Sequence, residues 1–229
     1  MPRGRYPARL KTILPSEKAL AHYLIVWGNA ELYANPERFP PIGSVQLFGN
    51  QQPLALEVGC ATGEFLCELA ARTPNVNFLG VEIVRKPLYR AVARAVQRSL
   101  SNIKFLQVDI RLLCSQLLPD SLQAVYLHFP VPVMTARQRR HGVLTATFLD
   151  HVYRALAPGG RLSVITDKPA VFAAVEQLAQ HDQRFRLVPL DQHRLAIDEG
   201  LKSHHHQLWE ERGCAILSCE LEKPIMFER

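Results

Sequence analysis

The sequence predicts an α/β fold, a mostly parallel seven-stranded sheet with helices on both faces. Three observations predict it. Leu54–Val58 is a short apolar run; a turn containing Gly59 and Gly63 follows, then a helical pattern over Glu64–Arg72. From Leu54 onward, strand-length apolar runs alternate with helix-length patterns, as in a parallel sheet. Four of those runs end in acidic residues, at the edge where such sheets bind ligands.

Taken in order, the first twelve residues carry Arg3, Arg5, Arg9 and Lys11 and no acid. That suits either an arm reaching nucleic-acid phosphates or a solvated tail. Ser16 is placed to cap a helix over 18–26. Residues 35–49, with Pro36, Pro40, Pro41 and Gly43, read as an irregular lead-in. Residues 1–50 thus form an N-terminal extension with a basic arm, and 51–229 the main domain. After Leu54–Val58, strands are expected at Asn77–Glu82, 103–108, 124–129 and 161–166, with helices near 87–100, 146–156 and 170–181. Pro158, Gly159 and Gly160 stop a helix before the fifth strand. Residues 184–187 and 214–220 complete the seven as antiparallel edge strands.

The bulk numbers exclude some classes. A chain of 229 residues, 48% hydrophobic, can bury one sizeable core. No apolar run approaches the ~20 residues that span a bilayer, and none follows the basic N-terminus as a secretory signal would. The five cysteines, Cys60, Cys67, Cys114, Cys214 and Cys219, contain no C-x-x-C pair. They read as reduced thiols of a cytoplasmic protein, not as a disulfide framework or zinc site. A net charge of +6 permits a polyanionic partner without requiring one.

The glycine turn has three readings. A dinucleotide site wants G-x-G-x-x-G with its pyrophosphate on a helix N-terminus. Here the spacing is G-x-x-x-G, and Glu64 opens the helix, a poor host for pyrophosphate. A cationic nucleoside fits better, because Glu57 precedes the turn, Glu82 ends the second strand, Asp109 the third and Asp167 the fifth. Glu82 stands where an acid accepts hydrogen bonds from ribose hydroxyls, and Asp109 could take an adenine amino group. An ordinary βα turn with unrelated cap residues is the third reading. After the fourth strand, Pro130 and Pro132 forbid a helix and hold an extended loop. Arg137, Arg139, Arg140 and His141 follow, as a phosphate-contacting run or a solvated surface. His204, His205 and His206 are adjacent and point in different directions, so no metal site is expected. His206, Trp209 and Gly213 are expected in a late loop over the crevice.

These blocks together resemble the bacterial tRNA (guanine-N7-)-methyltransferases, class I, Rossmann-like enzymes that use S-adenosylmethionine. The resemblance covers about 45–220. It rests on Leu47-Phe48-Gly49-Asn50 with 54–68, on Asn-Phe-Leu-Gly-Val-Glu-Ile at 77–83, on 101–109, on 129–149 without a gap, and on 158–167. It implies a methyltransferase domain over 51–229, S-adenosylmethionine as cofactor, tRNA as partner, a cytoplasmic location, and a monomer or homodimer. Carried over by position, Glu57, Glu82 and Asp109, with Gly59 and Gly63, are cofactor-binding. Asp167 and Ser203 are substrate-binding, with Arg137, Arg139 and Arg140 toward tRNA. The departures lie in the guanine-handling half. The family's loop reads Phe-Pro-Asp-Pro-Trp, whereas Val131 and Val133 occupy the aspartate and tryptophan positions here. Thr135 and Ala136 replace lysines, and His205 and His206 replace a tyrosine and a glutamate. No catalytic residue is assigned. Three readings follow: a guanine-N7 methyltransferase, a tRNA- or cofactor-binding paralogue without turnover, and a methyltransferase with another acceptor.

Overall fold

The computed structural model describes residues 13–131, 142–193 and 201–225. Its sheet has the order β1-β4-β3-β2-β5-β6-β8-β7. The strands are β1 (Leu24–Val26), β2 (Leu54–Val58), β3 (Asn77–Glu82), β4 (Ile103–Gln107), β5 (Leu122–His128), β6 (Leu156–Thr166), β7 (Arg186–Val188) and β8 (Leu217–Glu222). β1 through β6 are parallel to one another, and β8 is antiparallel to both β6 and β7. This is an open class I sheet of the Rossmann-like kind.

Alternation along the strands divides the core into two layers. Leu54, Leu56 and Val58 of β2 join a cluster with Phe148, Leu149, Val152 and Val175, from α7 (Ala146–Ala155) and α8 (Pro169–His181). Ala55 faces the other way, with Phe65, Leu66, Leu88 and Val92 of α4 (Glu64–Arg72) and α5 (Arg85–Gln97). All five residues of β2 are buried, as expected for a central strand covered on both faces. Phe78 and Phe105 lie in the α4/α5 layer at 1% and 0% exposure, so truncating either to alanine would cost ~3–5 kcal/mol.

Three expectations are corrected. The sheet has eight strands among the described residues, because helix α1 (Glu17–Tyr23) ends early and Leu24–Val26 is a strand on the free edge of β4. Ile25 and Val26 are branched at Cβ, a helix restricts them, and an open strand edge offers their backbone partners. Ser16 does cap α1, accepting from Ala19 N at 3.3 Å. Tyr23 Oη donates to Leu100 O at 2.6 Å and Lys104 Nζ to His22 O at 2.8 Å, tying α1 to the sheet. Second, the lead-in carries α2 (Asn29–Ala34), a 3-10 turn (Pro36–Arg38) and α3 (Ser44–Phe48). Third, β8 lies inside the sheet rather than at its edge. Arg161 of β6 reaches Glu220 and Glu222 of β8, each at 2.9 Å, which sets the register of this antiparallel pair.

The turn between β2 and α4 folds back over β3. Gly59 N and Cys60 N both donate to Val81 O, at 2.8 and 3.1 Å. Gly59, Ala61 and Gly63 all have positive φ, at 75°, 49° and 71°. A Cβ on Gly63 would lie 2.8 Å from Ala91 Cβ of α5, whereas a Cβ on Gly59 would meet nothing within 4 Å. The two glycines thus answer different demands. Gly63→Ala combines left-handed strain with a clash and should cost about 2–4 kcal/mol; Gly59→Ala carries the strain alone, about 1–2 kcal/mol. Urea denaturation of the two variants is expected to show that order.

Candidate functional site

The chain runs outward from β2 through β3 to β4, then returns to β5 on the other side of β2. The crevice where the order reverses lies over the C-terminal ends of β2 and β5, the position at which open α/β sheets bind ligands. Glu57 of β2 and His128, the last residue of β5, face each other there, with Nδ1 of His128 3.9 Å from Oε1 of Glu57. Their side chains are only 5% and 7% exposed. Oε2 of Glu57 and Nε2 of His128 are both buried without a hydrogen-bond partner among the described residues. Phe65 stands edge-on to the imidazole at 4.5 Å.

Burial dominates the electrostatics. Desolvation, then the charges of Glu64 and Glu82, push the Glu57 carboxyl up to about 8. Desolvation, then His206, push His128 down to about 3. At neutral pH the pair is therefore a carboxylic acid beside a neutral imidazole, not an ion pair. Glu64 is paired with Arg94 of α5, whose Nη2 is 2.9 Å from its Oε1. Arg94 Nε also donates to Thr62 O at 3.3 Å, so one guanidinium braces the turn.

Glu82 lies one strand over. Its carboxylate accepts from Ala61 N at 3.3 Å and Val84 N at 2.9 Å, joining the glycine turn to the end of β3. Ile83 and Val84 follow it and are half exposed, at 51% and 50%, an apolar shelf beside the acid. Asp109 lies beyond β4, where it caps α6 (Ile110–Leu113) through Arg111 N at 2.9 Å. The Arg111 side chain grips the same carboxylate, with Nε 2.9 and 3.1 Å from its two oxygens. Asn29 Oδ1 accepts from Asp109 N at 2.9 Å, bringing α2 to this corner.

The other side of the crevice is built by β6 and α9 (His204–Glu211). The expected late loop is thus a helix, closed by Gly213 at φ 69°. Ser203 caps it, accepting from His206 N at 3.2 Å. Asp167, just past β6, is buried against Lys168, and the Lys168 ammonium lies 5.1 Å from the Trp209 ring centre. Phe129, at φ 50°, is 4.6 Å from the His205 ring and 5.7 Å from the buried His206. His206 Nε2 is 3.4 Å from Glu210 Oε1. Val131 is 56% exposed. Arg137, Arg139 and Arg140, Val133, and the basic arm at 1–12 lie outside the described residues. Glu57, Glu82 and the Gly59–Gly63 turn are brought together by hydrogen bonds and shared electrostatics; Asp109 and Asp167 lie along the same strand edge, each with a cationic neighbour. His128, Arg94, Ile83 and Val84 were not singled out from the sequence. An imidazole ending the strand before the Pro130 loop was the one available signal. A concavity of about 470 Å³ bordered by Leu149, Asp150, His181 and Arg184 holds none of these groups.

A family model described as a putative methyltransferase matches residues 51–217. A tRNA (guanine-N(7)-)-methyltransferase of Chloroflexus aurantiacus is 44% identical over 97% of this chain and 98% of its own length. The chain belongs to the tRNA (guanine-N7-)-methyltransferase family. A relative of the same description from Rubrobacter xylanophilus is 39% identical over 94% of this chain and 97% of its own. Among solved structures, the 16S rRNA methyltransferase KamB superposes with a TM-score of 0.57 at 15% identity, covering 78% of this chain and 92% of its own, which is a likeness of fold. Members of this family are methyltransferases, and the donor set here fits their methyl donor. Its groups are acceptors: the orphaned oxygen of Glu57, and Glu82 beside an apolar shelf. They suit a ligand with ammonium, hydroxyl and apolar ring groups, not a phosphate.

The buried pair also makes stability depend on pH, with opposite signs. Folded Glu57 keeps a proton that the unfolded chain loses above its ordinary 4.5, so its contribution is present at low pH and lost as pH rises toward 8. Folded His128 refuses a proton that the unfolded chain takes up below 6.5, so its contribution is lost as pH falls from 6.5 toward 3. The slopes oppose between 4.5 and 6.5, and Glu57 acts alone from 6.5 to 8. Over that window the ligand-free protein should lose about 2 kcal/mol at most. Chemical denaturation at several pH values is expected to show this loss in the native protein and its absence in Glu57→Gln.

Proposed function

We propose that the chain transfers a methyl group from S-adenosylmethionine to N7 of a guanine in tRNA. The observation that carries this reading is the acceptor-lined crevice at the β2/β5 switch point of a chain in this family. In it Glu57 meets the cationic amino-acid end of the donor, and Glu82 meets the ribose hydroxyls. Ile83 and Val84 pack against the adenine. Asp109 takes the far edge of the base, sharing its carboxylate with Arg111. Gly59 and Gly63 let the turn approach the ligand closely. Residues 51–229 are the methyltransferase domain and 1–50 an extension with a basic arm. Arg137, Arg139 and Arg140 meet tRNA phosphates, and Asp167 and Ser203 lie where the substrate enters. The protein works in the cytoplasm, where tRNA is modified. Among the described residues, no helix is long and apolar enough to cross a membrane.

Bound there, S-adenosylmethionine supplies a methyl group made electrophilic by its positive sulfur. Guanine N7 carries a free lone pair and loses no proton when methylated, so the protein need not supply a general base. Its task is alignment, which can contribute up to ~7–11 kcal/mol. Phe129, His205, His206 and Trp209 form a ring-lined wall beside the crevice that can limit how a base enters. Val131 sets the cost of the family departure. An exposed isopropyl group accepts no hydrogen bond, so a base resting on it is less firmly fixed than beside a carboxylate. This favours a second reading, a binding protein without turnover.

One assay separates them. Labelled methyl transfer to unmodified tRNA, followed by nucleoside mass spectrometry, should yield N7-methylguanosine, with Glu57→Ala reducing the rate at least tenfold. Val131→Asp should raise kcat by about tenfold, since small errors in alignment are costly. Binding of tRNA and donor with no methylated product would establish the second reading, and a different methylated nucleoside would mean another acceptor.

A further inference from the structure

Beyond the crevice, the outer side of α9 carries a second cluster. Phe129, the first residue past β5, is followed outward by His205 at 4.6 Å and then by Trp209, whose ring lies 5.5 Å from that of His205. The Trp209 indole N–H donates to His205 Nε2, which holds the two rings together. His205 is exposed and Trp209 half-buried. Two cations from different elements meet over this one indole. Lys168 comes from the turn past β6, with its ammonium 5.1 Å from the ring centre, and Arg212 from the end of α9, with its guanidinium carbon at 5.0 Å. A cation at a helix C-terminus accounts for Arg212 alone, not for Lys168 arriving over the same ring. The nearby acids are turned elsewhere. Glu210 is engaged by Lys202 at 2.9 Å and by His206 at 3.4 Å. Glu211 is two residues on from Trp209 and so lies on the opposite side of the helix.

An aromatic ring flanked by cations suits an unpaired nucleotide, whose base stacks on the ring while its phosphates meet the charges. A duplex hides the faces of its bases, so a ring on the side of a helix reaches only an unstacked one. We propose that Trp209, with Lys168 and Arg212, is a stacking site for an unpaired nucleotide next to the methylated guanine, one step further out along the line of Phe129 and His205. This rests on tRNA being the substrate and adds a second nucleotide contact beside the acceptor base. In the free protein the cations cover the indole. A cation over an exposed ring is held more weakly than a stacked base, so the base displaces the Arg212 guanidinium, which turns to a phosphate in a two-pronged contact. The Lys168 ammonium stays anchored by the buried Asp167 carboxylate and gives its remaining N–H donors to a neighbouring phosphate oxygen.

The test is optical and needs no methyl transfer. The chain has two tryptophans, so Trp27→Phe leaves Trp209 as the single indole. Its fluorescence is followed, without methyl donor, as unmodified tRNA, an unstructured oligouridylate or a blunt RNA duplex is added. The tRNA and the oligouridylate should quench it, and the duplex should not. If Trp27→Phe does not fold, the difference in emission between the native chain and Trp209→Phe carries the same signal. By anisotropy of end-labelled oligouridylate, Trp209→Leu should bind about tenfold more weakly, and Trp209→Phe, which keeps a ring, no more than about threefold. Lys168→Gln and Arg212→Gln should each lower the slope of log affinity against log salt by about 0.7. Binding of tRNA with the Trp209 emission unchanged would overturn the stacking site and leave the tRNA reading in place. So would a duplex that quenches as strongly as the single strand, or Trp209→Leu binding as tightly as the native chain. Failure of tRNA to bind at all would remove the tRNA reading, and this site with it.

Discussion

Glu57 is the penultimate residue of a strand buried along its whole length, and its carboxyl group has one oxygen with nothing to bond to among the described residues. Burying a carboxyl in this way costs free energy, and the protein keeps it tolerable by holding the proton. Much of the surrounding architecture bears on that group. The glycine turn passes beside it, closed onto β3 by two hydrogen bonds to Val81. Arg94 takes up the charge of Glu64, which would otherwise add to the crowding of negative charge. Glu82 fastens the turn from the far side. A cation entering there would take the place of that proton beside the carboxylate.

Much of this was legible in the sequence, for reasons that are local. A buried central strand reads as an uninterrupted apolar run, and a left-handed turn as glycine, so β2, its turn and α4 could be placed from Leu54 to Arg72. The acids at strand ends could be found by counting along that pattern. Other features depend on partners remote in the chain. Leu24–Val26 is a strand because β4 has a free edge. Asp109 and Asp167 looked alike as strand-end acids, but Arg111 and Lys168 engage both carboxylates. His128 was invisible because its meaning comes from Glu57, 71 positions away and opposite it in space. His206 and Trp209 were expected, with Gly213, in a late loop, yet Ser203 supplies a cap and His204–Glu211 is helical.

The two halves of the site differ in how they relate to the family. On the side where the proposal puts the methyl donor, Glu57 and Glu82 supply carboxyl groups. On the side where the proposal puts the guanine, Val131 is an exposed apolar group, and imidazoles at His205 and His206 pack on Phe129. Methylation at guanine N7 tolerates such change better than most reactions, because no proton has to be removed. What it does not tolerate is poor alignment, which under the proposed function would fall to the rings of α9.

A crystal structure of the protein with S-adenosylhomocysteine addresses the assignment of the crevice most directly. The nucleoside should lie across the ends of β2 and β3, with its ribose hydroxyls within hydrogen-bond distance of Glu82 and its ammonium against Glu57. A ligand seated elsewhere, or a crevice left empty at saturating ligand with the two carboxylates in their present places, would contradict that assignment.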